Sequence, residues 1–169
     1  EPEVALALYE RALATDPGSF AAALNRGTLL LKMGRAPEAL RALDDLVARV
    51  PDSPDAHVNR AQVLLALFRD ADALAAADTA LRQQPRHLLA TLTRANALAA
   101  LGRTAEAEEA FRLARQMDAA AFEHAIADPG YGGWTESPPD PSTIAMLRAT
   151  QLQQHCDWTR RDEAVSRVR

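Results

Sequence analysis

A stretch near the N-terminal end decides the fold of this chain: residues 20–53 read FAAALNRGTLLLKMGRAPEALRALDDLVARVPDS. Apolar residues recur at helical spacing in its first half, which ends at Gly34, and a glycine just beyond a helix is a common stop. Pro37 stands where a second helix can begin, and Pro51 stops the second apolar stretch. The stretch therefore predicts two helices joined by a short turn.

The same pattern returns every 34 residues. Pro17, Pro51 and Pro85 are spaced by 34 residues. Further columns keep this register: Asn25, Asn59 and Thr93; Arg26, Arg60 and Arg94; Gly34, Phe68 and Gly102; Ala5, Ala39, Ala73 and Ala107; Tyr9, Leu43, Ala77 and Phe111; Ala12, Leu46, Ala80 and Ala114. Self-similarity at a period of about 20–50 residues is typical of stacked arrays of one unit. Helices are therefore predicted over 20–33, 37–50, 55–67, 70–82, 88–101 and 104–116.

These paired helices resemble the tetratricopeptide repeat family, whose units have the same length. The match lies at the family's small, aromatic and proline positions, here Gly27, Ala61 and Ala95 in three full units and Ala5, Tyr9, Ala12 and Pro17 in a partial one. The family's usual large aromatic at the fourth position is replaced by Ala23, His57 and Thr91. Because one unit cannot bury its own apolar face, such units share their stability with stacked neighbours.

The resemblance implies an all-α fold in which tetratricopeptide helix–turn–helix repeats form a right-handed superhelical solenoid. The array is expected to span residues 1–121, as a half repeat at 1–19 and full repeats at 20–53, 54–87 and 88–121.

One turn departs from the pattern. Phe68 lies in a column that otherwise holds glycine. A left-handed helix cap there costs a non-glycine residue about 1 kcal/mol. That turn is therefore expected to differ locally from the other two.

The register breaks after residue 121. Residues 119–127 have the pattern of a short helix, and residues 128–141, DPGYGGWTESPPDP, are typical of an irregular loop. Residues 122–141 are thus expected to form an insertion made of a helix and a loop rich in proline and glycine. A helical pattern then resumes, which predicts a closing helical hairpin over 142–169.

The stretch CDWTRRDE at residues 156–163 is the most distinctive in the chain. It resembles the stretch that follows the repeats of O-linked N-acetylglucosamine transferases and their bacterial relatives, the family 41 glycosyltransferases. The resemblance implies the substrate-recognition arm of such an enzyme. The catalytic lobes of that family are α/β domains, and no strand pattern or glycine-rich phosphate loop is found up to Arg169. The chain itself is therefore expected not to be an enzyme.

Asn25 and Asn59 are a second point of resemblance to that family. In those transferases, asparagines at this position line the concave face and hold a peptide backbone. An asparagine amide suits this task because it both donates and accepts, as a peptide group does. The residues expected to contact a protein or extended peptide are Asn25, Thr28, Asn59, Gln62, Thr93 and Asn96, with Leu24, Val58 and Leu92 adding apolar area. The alternative is that the asparagines are ordinary exposed polar residues.

The composition argues against several other classes of function. Of the 169 residues, 48% are hydrophobic and 25% charged, and the net charge of −4 argues against a nucleic-acid partner. No apolar run approaches the roughly 20 residues of a membrane helix, so no membrane partner is expected. No two histidines have the spacing of a helical metal site, and no cofactor is expected. The single Cys156 needs no oxidising compartment, which favours a cytoplasmic location.

The arginine column at Arg26, Arg60 and Arg94 has two interpretations. The favoured one is that these side chains lie over neighbouring helices and pair with acids such as Asp45 or Asp78. The alternative is a stripe that binds anions.

Binding of acidic chaperone tails is not expected. Arrays with that function use lysines on the inner helices, at positions that hold Leu24 and Leu89 here. Without the lysines, half of the carboxylate-binding set is missing.

A structural role is the rival to peptide binding. Glu1 begins inside or just before the second helix of a repeat, so the edge of the array is expected to expose apolar surface. Such an edge can pair with another copy of the chain, which would make it a self-assembly module and a homo-oligomer.

Overall fold

The computed structural model describes residues 1–127, which form consecutive α-helices without a strand. The helices are α1 (Pro2–Thr15), α2 (Phe20–Lys32), α3 (Ala36–Arg49), α4 (Pro54–Ala66), α5 (Asp70–Gln83), α6 (Leu88–Ala100), α7 (Thr104–Met117) and α8 (Ala119–Ala127). Each helix predicted between residues 20 and 127 is present, with both ends within one residue of the prediction. The expected loop at 128–141, the closing hairpin and the CDWTRRDE stretch lie outside the described residues.

The helices stack as repeated pairs. Helix α2 packs on α3, α4 on α5 and α6 on α7, and each pair also contacts the next through its facing helices. The first helices of successive pairs touch one another as well, α2 on α4 and α4 on α6. We call α2, α4 and α6 the inner helices. This arrangement is an all-α solenoid, as the 34-residue period predicts.

Small side chains allow the two helices of each pair to lie close together. Ala39, Ala73 and Ala107, one column of the repeat, are all 0% exposed. A Cβ atom placed on Gly27 of α2 would lie 2.7 Å from Cγ of Leu43 on α3. The abundance of alanine in the chain therefore follows from close helix crossings.

The turn at Phe68 does not differ from its siblings, contrary to expectation. Its φ is +58°, beside +75° and +73° at the two glycines of the same column. The backbone N–H of Phe68 donates to the carbonyl of Leu65 at 3.0 Å, and that of Arg69 donates to the carbonyl of Leu64 at 2.9 Å. These two bonds satisfy carbonyls at the helix end, and their geometry requires the left-handed residue. The helix end therefore imposes the strained backbone on Phe68.

The helix starts also repeat. Ser19, Ser53 and His87, spaced by 34 residues, cap the inner helices by accepting a hydrogen bond from a backbone N–H of the first turn. The second helix of each pair begins instead after an arginine that binds an acid three residues on, as Arg35 Nε does with Glu38 at 2.7 Å. That hydrogen bond lowers the pKa of the Glu38 carboxyl.

Candidate functional site

We call the column of Asn25, Asn59 and Thr93 the ladder. The polar residues predicted in and around it lie on the inner helices. Asn25 is exposed, and the side chains of Thr28, Asn59, Gln62 and Asn96 are half-buried. Leu24 is half-buried beside them. We call Leu24, Asn25, Thr28, Asn59, Gln62 and Asn96 together the amide surface. These six of the nine predicted contact residues have solvent-accessible side-chain area that a ligand can contact.

The other three predicted contact residues are buried, which corrects the sequence expectation. Thr93 is 0% exposed, and its Oγ1 donates to the carbonyl of Leu89 at 2.7 Å. Val58, at 1% exposed, packs with Ala80, and Leu92, at 0%, lies in the core that runs from α4 to α8. The column position alone does not reveal this burial, because it depends on what packs over α4 and α6.

One hydrogen bond joins two members of the amide surface. Nδ2 of Asn59 on α4 donates to Oγ1 of Thr28 on α2 at 3.0 Å. Oγ1 of Thr28 in turn donates to the carbonyl of Leu24 at 3.1 Å. These bonds link neighbouring repeats at the surface where a ligand is expected.

The arginine column pairs with acids of the preceding repeat. The shortest distances from arginine Nε to carboxylate oxygen are 3.9 Å for Arg26–Glu10, 2.5 Å for Arg60–Asp44 and 2.8 Å for Arg94–Asp78. The partner of Arg60 is thus Asp44 and not Asp45, since the acids follow their own 34-residue column. The expected pairing with neighbouring helices is therefore found as a hydrogen bond at Arg60 and Arg94, whereas the buried Nε of Arg26 has no hydrogen-bond partner within residues 1–127.

Most charged side chains of the inner helices have a partner of opposite charge or a hydrogen-bond partner. Asp55 Oδ1 lies 3.0 Å from Nε2 of His87, whose Nδ1 accepts the N–H of Ala90. Lys32 is exposed at the end of α2. Within residues 1–127 no group of three or more metal-binding side chains comes together. The six residues of the amide surface are themselves uncharged.

An open depression that sequence reasoning did not find lies beside the start of α6. Its volume is about 410 Å³, and it is lined by Gln84, Arg86, His87, Leu88, Leu89, Leu92 and Ala125. The only sequence signal was the 34-residue column that His87 shares with the capping serines.

Over the described range, no helix has the length and apolarity needed to cross a membrane.

Comparison with known families agrees with this geometry. Models of the tetratricopeptide repeat match residues 1–65 and residues 69–124. The chain belongs to the tetratricopeptide repeat family. No curated protein matches it significantly.

Solved tetratricopeptide structures resemble this one. TTC0263, a thermophilic TPR protein of Thermus thermophilus, is 24% identical with a TM-score of 0.69, over 99% of this chain and 90% of that chain. The TPR2B domain of yeast Sti1, in a complex with pHsp70, is 26% identical with a TM-score of 0.58, over 66% of this chain and 92% of that chain. YrrB, described as a TPR protein with an unusual peptide-binding site, is 18% identical with a TM-score of 0.58, over 99% of this chain and 78% of that chain.

The likeness to family 41 glycosyltransferases has a narrower basis than the repeat. It depends on residues 156–163, which lie outside the described residues, and on Asn25 and Asn59. The matching family models and the three structures above all describe tetratricopeptide repeats, and none of them is described as a glycosyltransferase. The enzyme-associated role is therefore a proposal.

Proposed function

We propose that this tetratricopeptide scaffold binds an extended peptide segment of a protein on its amide surface. The observation that carries the proposal is the row of exposed or half-buried amides on successive inner helices, Asn25, Asn59, Gln62 and Asn96. An amide side chain forms the same paired hydrogen bonds as a peptide group, so such a row can hold a backbone without selecting its side chains. The peptide-binding neighbours Sti1 and YrrB support this reading.

The charge of the surface indicates the kind of peptide. The inner-helix arginines face acids within the array, and Leu24 and Leu89 stand where a clamp for acidic tails requires lysines. The bound segment is therefore uncharged, and its affinity depends little on salt concentration.

The finer proposal is that the array presents protein substrates to a family 41 glycosyltransferase domain in the cytoplasm. It is supported by the resemblance of residues 156–163 and by the two ladder asparagines. On this proposal the chain selects substrate and the chemistry takes place elsewhere, with no cofactor bound by the array.

Replacing Asn25 and Asn59 together by alanine tests peptide binding. We expect the affinity to fall about tenfold, because each hydrogen bond contributes about 0.5–1.5 kcal/mol. The measurement is a fluorescence titration with whichever peptide binds most tightly from a set of short uncharged peptides. Gln116→Ala, which removes an exposed amide from α7, is the matched control and should leave the affinity unchanged. Equal affinity of the double variant and the unmodified protein would rule out the ladder.

Self-assembly is the second candidate, and the exposed face of α1 favours it. Val4 is 55% exposed and Leu8 is 51% exposed. The residues that correspond to Leu8 in later repeats are Ala42, which is half-buried, and Ala76 and Ala110, which are only 3% and 2% exposed. The Leu8 position, which is covered in α5 and α7, is thus open in α1, and the apolar area of Leu8 and Val4 can be buried against a second copy.

Light scattering at low and high protein concentration distinguishes the two candidates. Under self-assembly, the mass of the unmodified protein rises with concentration, and Val4→Ser with Leu8→Ser keeps it monomeric because the apolar contact is lost. Leu113→Ser is the control, since Leu113 is 47% exposed on α7 instead. A monomer at both concentrations would exclude this role for α1.

A further inference from the structure

The hydrogen bond between Asn59 and Thr28 connects two repeats at the amide surface. Its partners are 31 residues apart in the chain, and its length is 3.0 Å. Asn59 lies in the ladder column, one repeat after Asn25. Thr28, which the sequence suggests as a direct ligand contact, is instead bonded to a ladder residue.

The direction of this bond follows from the other bond that Thr28 makes. The hydroxyl of Thr28 lies 3.1 Å from the carbonyl of Leu24, and a carbonyl can only accept. The single hydroxyl proton therefore points to Leu24, and towards Asn59 the oxygen can only accept. The side of the Asn59 amide that faces Thr28 must then be its NH₂ group. The amide oxygen of Asn59 in that place would meet the lone pairs of the Thr28 hydroxyl oxygen, with no proton between them.

The same backbone bond recurs at other helical threonines. Their hydroxyls donate to the carbonyl four residues earlier, at 3.1 Å for Thr15, 2.9 Å for Thr79, 3.0 Å for Thr91 and 2.7 Å for Thr93. The proton of Thr28 thus follows a regular preference of threonine in helices. This supports the assigned orientation of the Asn59 amide.

We propose that Thr28 is a positioning residue that turns the Asn59 amide so that its oxygen, Oδ1, is offered to the bound peptide. The inference rests on the proposed function of the amide surface. Within residues 1–127, Oδ1 of Asn59 has no hydrogen-bond donor, so its acceptor capacity is open. The peptide residue opposite Asn59 must then supply a backbone N–H, which excludes proline and N-methylated residues there.

Asn25 differs from Asn59 in this respect. Its side chain is exposed and makes no hydrogen bond to another residue of the described range. Its amide can turn to present either its oxygen or its NH₂. The two ladder positions therefore have different selectivity, with the strict requirement for a donor only at Asn59.

The first test uses the free protein. Thr28→Val keeps the side-chain shape and removes the hydroxyl, while Thr28→Ser keeps the hydroxyl. In nuclear magnetic resonance spectra we expect the side-chain NH₂ protons of Asn59 to exchange with water faster in Thr28→Val, and at the original rate in Thr28→Ser. Thr79→Val on α5 removes a similar backbone bond, at 2.9 Å, and should not affect Asn59. Unchanged Asn59 exchange in a folded Thr28→Val protein would overturn the positioning role.

The second test measures binding of the tightest-binding short uncharged peptide from the fluorescence titration. It compares this peptide with variants that each carry one N-methyl group on the backbone. We expect one N-methyl position to weaken binding to the unmodified protein about two- to tenfold, the worth of one hydrogen bond. Thr28→Val should bind more weakly and lose this position dependence, and Thr28→Ser should retain it.

The outcomes separate the two claims. If Asn25→Ala with Asn59→Ala weakens binding but Thr28→Val changes neither affinity nor the N-methyl profile, the positioning role is wrong and the proposed function stands. If no peptide binds, or the double variant binds as well as the unmodified protein, the proposed function fails and the role of Thr28 fails with it.

Discussion

Gly27→Ala is expected to lower the free energy of unfolding by about 1–3 kcal/mol, the usual effect of overpacking a core. This is the opposite of the normal effect, because alanine in a helix interior is favoured over glycine by about 0.8–1 kcal/mol. The reason is Leu43, whose Cγ and Cδ2 would lie 2.7 Å and 2.9 Å from the added Cβ. Leu43 is 0% exposed, so other protein atoms enclose it and it cannot move aside into solvent. Urea denaturation monitored by circular dichroism measures the change.

A double-mutant cycle shows whether Leu43 is the cause. Leu43→Ala alone should cost about 2–5 kcal/mol, because it leaves a cavity between α2 and α3. In that background, Gly27→Ala should raise the free energy of unfolding by about 0.8–1 kcal/mol, since the new methyl group has room and alanine is the better helix former. The natural pair Ala61 and Ala77 in the next repeat already combines two small residues. An equal loss in both backgrounds would contradict the contact with Leu43.

The backbone at Phe68 gives the second large effect. Phe68→Gly is expected to be more stable than Phe68→Ala by about 1–2 kcal/mol, because a left-handed residue with a Cβ is strained. The φ of +58° is the origin of this strain. Neither variant carries the ring, so their difference isolates the backbone from the contacts of the phenylalanine side chain. Thermal unfolding of both variants, compared at one temperature, measures it.

Gly34→Ala is the matched reference for this comparison. A Cβ on Gly34 would meet nothing within 4 Å, and its φ is +75°, so the substitution changes only backbone strain. We expect it to lose about 1–2 kcal/mol relative to the unmodified protein. Equal stability of Phe68→Gly and Phe68→Ala, with a loss in Gly34→Ala, would mean that the Phe68 turn relaxes once the ring is removed.

The sequence alone determined the helices and their stacking. Local periodicity predicts each helix, and Gly34 and Pro51 mark where two of them stop. The buried column of Ala39, Ala73 and Ala107 follows from the same register. The reason is physical: in a repeat array every unit has equivalent neighbours, so one unit predicts the environment of the next.

Only the tertiary structure decided which ladder residues face solvent and which bonds cross between repeats. Asn25 and Thr93 share a column, yet Asn25 is exposed and Thr93 is 0% exposed. The bond from Asn59 to Thr28 spans 31 residues and forms because α4 packs against α2. Side-chain exposure and inter-helix hydrogen bonds depend on what packs over each helix, and the packing differs towards the ends of an array even when the repeat does not.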